Sequence, residues 1–146
     1  MRKHFWEIIT RLSRERGLTF LVTTHHLVEA EFCHRLALMN QGRVVALGTP
    51  QNLREQVLKE KGEIMELWAQ PQRKALKALK ALGLQAYPMG RLLRLWSKGV
   101  NMERLVKDLE QERVKVEVRG TAQVSMEDVF IHFMEKGQRV KEGVEA

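Results

Sequence analysis

His25, His26, Cys33 and His34 stand close together near the start of the chain, and each side chain can do chemistry. Their spacing fits no usual zinc-ligand pattern, so no metal site is expected from them. Cys33 could serve as a nucleophile, but its place in a short amphipathic stretch reads as packing. His25 is different, because it ends the apolar run Thr19-Phe20-Leu21-Val22-Thr23-Thr24. A histidine at the C-terminal end of a buried strand sits where open α/β sheets place their ligand groups. Glu29 and Glu31 follow at the positive end of a short helix. A phosphate-cradling loop needs the spacing G-x-x-x-x-G-K-[ST], and no pair of glycines meets it here.

The elements that must hold these residues form two blocks. Phe5, Ile8, Ile9 and Leu12 recur at helical spacing over residues 3–16, and Gly17 stops that helix. Leu18–Thr24 is rich in β-branched and aromatic residues and reads as a buried strand of a larger parallel sheet. A short helix over 26–34 precedes a strand Arg35–Met39, the turn Asn40-Gln41-Gly42 and a strand Arg43–Leu47. Thr49 caps a helix to about Lys59, with Pro50 at its first position.

Lys61-Gly62 marks a boundary. Beyond it come a strand Glu63–Ala69 and a helix opened by Pro71 and ended by Gly83. Strands Leu84–Tyr87 and Leu92–Trp96 flank the turn Pro88-Met89-Gly90-Arg91. A helix capped by Asn101 and an alternating strand Val114–Val118 complete the order β-α-β-β-α-β, that of a ferredoxin-like sandwich. Ser125-Met126-Glu127-Asp128 forms a capping box for a last helix, and a polar tail begins at Gln138. The expected division is 1–60, 61–137 and a tail 138–146.

Composition narrows the function classes. The chain has 146 residues, 44% hydrophobic and 29% charged, which suits a folded domain or two small ones. No apolar run approaches the roughly 18–20 residues of a membrane span, and no signal peptide is evident. A single cysteine excludes an internal disulfide and fits a reducing compartment. The net charge of +7 is spread, with ten Lys/Arg against six Asp/Glu in residues 1–62 and fifteen against twelve beyond. No concentrated patch with interleaved aromatics is present, so nucleic acid is not the expected partner. Leu92–Trp96 also lacks the spaced aromatics that stack RNA bases. Trp6, Trp68 and Trp96 read as core or interface residues, and Lys74, Lys77 and Lys80 as one solvated helix side.

Leu21-Val22-Thr23-Thr24-His25, Glu29-Ala30-Glu31, Cys33-His34-Arg35, Leu36–Met39, Gly42-Arg43 and Gly48-Thr49-Pro50 together resemble the switch-histidine region (H-loop) of an ABC-transporter ATPase. Phe5–Ile9 is similar to the helix after the family's D-loop. Met126-Glu127-Asp128-Val129-Phe130 resembles the ending of ATPases from drug-export and ABC-2-type exporters, which carry a small accessory domain between the two regions. The pattern departs at His34, where many relatives have aspartate, and at Val28.

The resemblance implies a C-terminal remnant of a P-loop nucleotide-binding domain, followed by a ferredoxin-like accessory domain and a C-terminal helix. It gives His25 the role of contacting the γ-phosphate and the attacking water, with ATP and magnesium in the complete site. It also implies a membrane-spanning permease subunit and a second ATP-binding subunit as partners, at the cytoplasmic face of a membrane. Walker A, the LSGGQ-like signature and an apolar strand ending in Asp-Glu are all absent from the sequence. The chain alone is therefore expected not to hydrolyse ATP. The uncovered strand and the apolar face of residues 3–24 are expected to form a homodimer or swapped assembly. Two other readings stand beside this one: an autonomous ligand-binding or dimerisation module, and a basic nucleic-acid-binding domain.

Overall fold

The computed structural model describes residues 2–144, with side-chain surroundings for 2–137. Helix α1 (Arg2–Arg16) is followed by an irregular stretch and a 3-10 helix at Leu27–Phe32. Strands β1 (Leu36–Asn40) and β2 (Arg43–Gly48) form an antiparallel hairpin. Its two-residue turn places Gln41 at φ 49° and Gly42 at φ 75°, the paired positive values that a tight hairpin requires. Helix α2 (Pro50–Lys61) starts where Thr49 accepts a hydrogen bond from the Asn52 N–H at 3.1 Å.

A second, four-stranded sheet contains β3 (Ile64–Gln70), β4 (Ala86–Met89), β5 (Leu92–Trp96) and β6 (Lys115–Ala122). Its spatial order is β4-β5-β3-β6, and every neighbouring pair is antiparallel. Helices α3 (Gln72–Ala81) and α4 (Met102–Gln111) cover one face. There Leu67, Leu93 and Leu95 pack on Ala75, Leu79, Leu105 and Leu109. Asn101 caps α4 by accepting from the Arg104 N–H at 3.0 Å.

Helix α5 (Met126–Val144) returns to the first block. Its Met126, Val129 and Phe133 join Leu36, Leu38, Leu53 and Val57 in a second apolar core, which Ile64 and Val124 extend toward the sheet. The Ser125–Asp128 capping box is formed in full. The Ser125 N–H donates to Asp128 Oδ2 at 2.8 Å, and the Asp128 N–H donates to Ser125 Oγ at 3.2 Å.

Several expectations need correction. Leu18–Thr24 is not a strand: it runs irregular and largely exposed, and Leu21 is 100% exposed. A β-branched composition favours extended backbone, but a buried strand also needs neighbours on both edges, and no described segment pairs with this one. No parallel sheet is present among the described residues, since both sheets are antiparallel. The short helix is a 3-10 turn. β4 begins at Ala86, because Leu84 instead packs half-buried against the α3 side of the sheet. α5 carries helix past Gln138 to Val144, where a tail was expected, and residues 145–146 of that tail lie outside the described residues. No helix is long and apolar enough among the described residues to cross a membrane.

Candidate functional site

His25 lies at the end of the irregular stretch, exposed, on the wall of a cleft of about 570 Å³. Four elements meet there. α1 supplies Arg2, Lys3 and Trp6, the loop supplies His25 and His26, the 3-10 turn supplies Glu29 and Phe32, and α5 supplies Glu127. Trp6 anchors the arrangement: it is 5% exposed and its ring stacks on Phe32 at 5.5 Å between centroids. Burial of that one large ring fixes α1 against the 3-10 turn, and so holds Arg2 over the histidines.

Polar contacts then order the loop. Arg2 Nη2 donates to His26 Nε2 at 2.6 Å, and Arg2 Nε lies 3.6 Å from Glu29 Oε1. The His26 N–H donates to Thr24 Oγ1 at 3.0 Å, which turns the chain into the 3-10 helix. The imidazoles of His25 and His26 are in contact, with centroids 4.0 Å apart and ring planes tilted by 39°. Glu29 is held below the ordinary carboxylate range, first by a hydrogen bond from Thr24 and then by the charges of Arg2 and His26. The Trp6 indole N–H adds to that effect, although it makes no well-aligned hydrogen bond.

The site joins two imidazoles, a guanidinium and an ammonium with the two carboxylates of Glu29 and Glu127. Arg2 and Lys3 are the donors an anion at His25 would meet. Among the described residues no group of three or more His, Cys, Asp or Glu converges to hold a metal ion. Cys33 is half-buried, its Sγ 3.7 Å from the Glu29 carbonyl oxygen. Burial and the nearby Glu29 charge push its thiol up, away from the reactive thiolate. His34 is exposed and does not join the cleft.

Trp6 was legible as a core or interface residue, but Arg2 and Lys3 were not legible as site residues. Their place depends on α1 folding back over the loop, with Arg2 meeting His26 24 positions along the chain, which no local pattern encodes. His26 is also more engaged than a residue next in line would suggest, since it accepts from Arg2. Glu29, expected only as a helix-start charge, is the counter-ion of the cluster.

No protein-family model matches the chain. It is 30% identical over 162 aligned residues to ATP-binding cassette sub-family A member 17 of Mus musculus, an alignment covering 99% of the chain. It is 28% identical over 145 residues, 90% of the chain, to the phospholipid-transporting ATPase ABCA3 of Homo sapiens. Over a shorter stretch of 55 residues, 38% of the chain, it is 44% identical to the probable multidrug ABC transporter ATP-binding protein YbhF of Escherichia coli (strain K12). These homologues are ABC-transporter ATP-binding proteins, and the chain is consistent with a fragment of one. The chain spans 9% of the length of the first and third of these curated relatives and 8% of the second.

Proposed function

We propose that this chain is a C-terminal portion of the ATP-binding subunit of an ABC exporter, and that His25 is its γ-phosphate-contacting histidine. The observation that carries the reading is the ordered run from Leu21 to Pro50, set in a chain similar from end to end to a small part of much longer transporters. Arg2 and Lys3 in the cleft beside His25 support it, because cationic donors near the histidine stabilise a developing phosphate charge.

We assign residues 1–60 to a nucleotide-binding-domain remnant and 61–137 to the accessory domain with its terminal helix, leaving 138–146 as a terminal extension. The element order β-α-β-β-α-β and the sheet order β4-β5-β3-β6 support a ferredoxin-like reading of the accessory block.

The residues present do not make a complete nucleotide site. His25 supplies one phosphate contact, but the sequence offers no glycine-rich cradle with its lysine and no strand-end carboxylate pair for magnesium. Hydrolysis therefore requires groups from elsewhere in the parent subunit, together with a partner ATP-binding subunit and a permease at the cytoplasmic face of the membrane. The isolated chain is not catalytic and forms a homo-oligomer through α1 and the loop after it.

The DNA immediately upstream of the Met1 codon tests this reading. It predicts an open frame, or an adjacent gene, encoding a Walker A loop, a signature and a strand ending in Asp-Glu. A stop codon with none of these nearby contradicts it.

A further inference from the structure

The net charge of the chain comes from one stretch. Between Glu66 and Glu103 there is no acidic residue, yet seven Lys and Arg residues fall there, a number equal to the net charge of +7. The rest of the chain is therefore neutral overall, a concentration that the even balance between the two halves conceals. Two of the seven are engaged within the fold. Arg94 lies 2.8 Å from Glu66, and Lys98 donates to the Lys59 carbonyl at 3.0 Å. The other five are Arg73, Lys74, Lys77 and Lys80 on α3 and Arg91 in the β4–β5 turn. All five are exposed and make no ion pair among the described residues.

The fold gathers these five on one side. Ala75 and Leu79 are buried against the sheet. At about 100° per residue, that turns Arg73, Lys74, Lys77 and Lys80 into a single outward arc of α3. Gln72 Nε2 donates to the carbonyls of Gly90 at 3.1 Å and Leu92 at 3.3 Å, which pins the turn holding Arg91 against the start of the helix. Like charges three or four positions apart on a helix repel, and Arg73–Lys77, Lys74–Lys77 and Lys77–Lys80 are all so spaced. No acid on α3 offsets that repulsion, so an anionic partner would relieve it.

The arrangement selects the kind of partner. Side chains splayed over a convex helix face do not converge on one small anion, but they match an extended anionic surface. Neither α3 nor the turn 88–91 carries an aromatic ring, so nucleic-acid bases have nothing to stack on. Three of the five cations are lysines, compact charges on long stems, and the run Lys-Ala-Leu-Lys-Ala-Leu-Lys over 74–80 has the form of a basic amphipathic membrane-surface helix. Its apolar side is spent on the core, which leaves the cations to bind, with Leu82 at the end of α3 49% exposed beside them.

We propose that the outward face of α3, together with Arg91, docks on a bilayer surface rich in anionic phospholipid. None of these residues lines the cleft at His25, so this surface stands apart from the role of that histidine.

Co-sedimentation of the full chain with lipid vesicles tests the proposal. The expected result at low salt is binding to phosphatidylcholine vesicles containing about 30% phosphatidylglycerol, and binding at least about tenfold weaker to phosphatidylcholine alone. Salt at about 0.5 M should release the chain. Lys74→Gln, Lys77→Gln and Lys80→Gln together should weaken binding at least about tenfold with the circular dichroism unchanged, since glutamine is a good helix former. Arg43→Gln, Lys59→Gln and Lys115→Gln together remove the same charge from exposed positions on other elements, and should weaken it at most about threefold. Equal loss from the two triple variants overturns the proposal, because net charge alone would then explain binding. So does equal binding to neutral vesicles. Absence of binding to anionic vesicles overturns it too, whether or not the chain binds single-stranded DNA or polyglutamate instead.

Discussion

Asp128 joins three parts of the molecule through one carboxylate. It completes the α5 cap with Ser125, accepts from Tyr87 on β4, and stands 4.0 Å from the Arg94 guanidinium on β5. Arg94 in turn bonds Glu66 at 2.8 Å, so the group is a chain of charges at the sheet–helix junction. Removing Asp128 leaves the Tyr87 hydroxyl and two donors of Ser125 without their acceptor. Asp128→Ala is expected to lower unfolding stability by about 3 kcal/mol, measured by urea denaturation. A loss under about 0.5 kcal/mol contradicts this account. The cap was legible in the sequence, because S-x-x-D is a local code. Tyr87 and Arg94 were not, because they reach Asp128 through tertiary packing.

His132 makes a pH prediction at the same scale. Burial, then Lys61, lowers its pKa from the ordinary 6.5, with Glu60 opposing. The unfolded chain takes up this proton near 6.5 and the folded chain only at lower pH. Stability therefore holds above that value and falls as the pH drops through it toward the folded pKa. Thermal melts from pH 8 to pH 5 should show the midpoint falling on the acid side. His132→Phe should flatten that slope, and an unchanged slope contradicts the assignment.

At the scale of elements, Gly62 shows how a boundary can also be a joint. The sequence marks Lys61-Gly62 as a break between blocks, but the chain there is pressed against the end of β5. The Glu63 N–H donates to Ser97 Oγ at 3.0 Å, and the Lys98 N–H donates to the Lys61 carbonyl at 3.0 Å. Gly62 has φ 77°, and a Cβ there would lie 2.9 Å from the Lys98 nitrogen. Gly62→Ala meets both a backbone penalty and a clash with main chain, so it should cost about 2 kcal/mol or more in chemical denaturation. A neutral effect rules out this junction geometry.

Elements with local codes were the ones the sequence revealed. Thr49-Pro50 and Asn101 set helix starts, and Gln41-Gly42 set a hairpin turn, through contacts within four residues. Leu18–Thr24 failed for the opposite reason. Its β-branched character is a preference that only sheet neighbours convert into a strand, and the described residues supply none. The displaced start of β4 has the same origin, since packing of Leu84 under α3 decides where pairing begins.

For the molecule as a whole, the exposed apolar surface is the unresolved load. Phe5, Leu18, Phe20, Leu21, Val28 and Phe32 are all exposed along α1, the loop and the 3-10 turn. Large apolar side chains exposed in this number on successive segments favour association. Sedimentation of the chain at high concentration should show a homodimer or larger assembly, with Leu21→Glu and Phe20→Glu together shifting it toward monomer. A well-behaved monomer at all concentrations contradicts this part of the account.

The central claim concerns His25, and phosphate release measures it most directly. The segment of this chain that holds His25 can be grafted into ATP-binding cassette sub-family A member 17 of Mus musculus in place of the residues that align with it, since that alignment covers 99% of the chain. The account predicts that the graft keeps ATP turnover, and that His25→Ala within it lowers turnover on the order of 100-fold while His26→Ala has a far smaller effect. A graft whose turnover is unaffected by His25→Ala would contradict it.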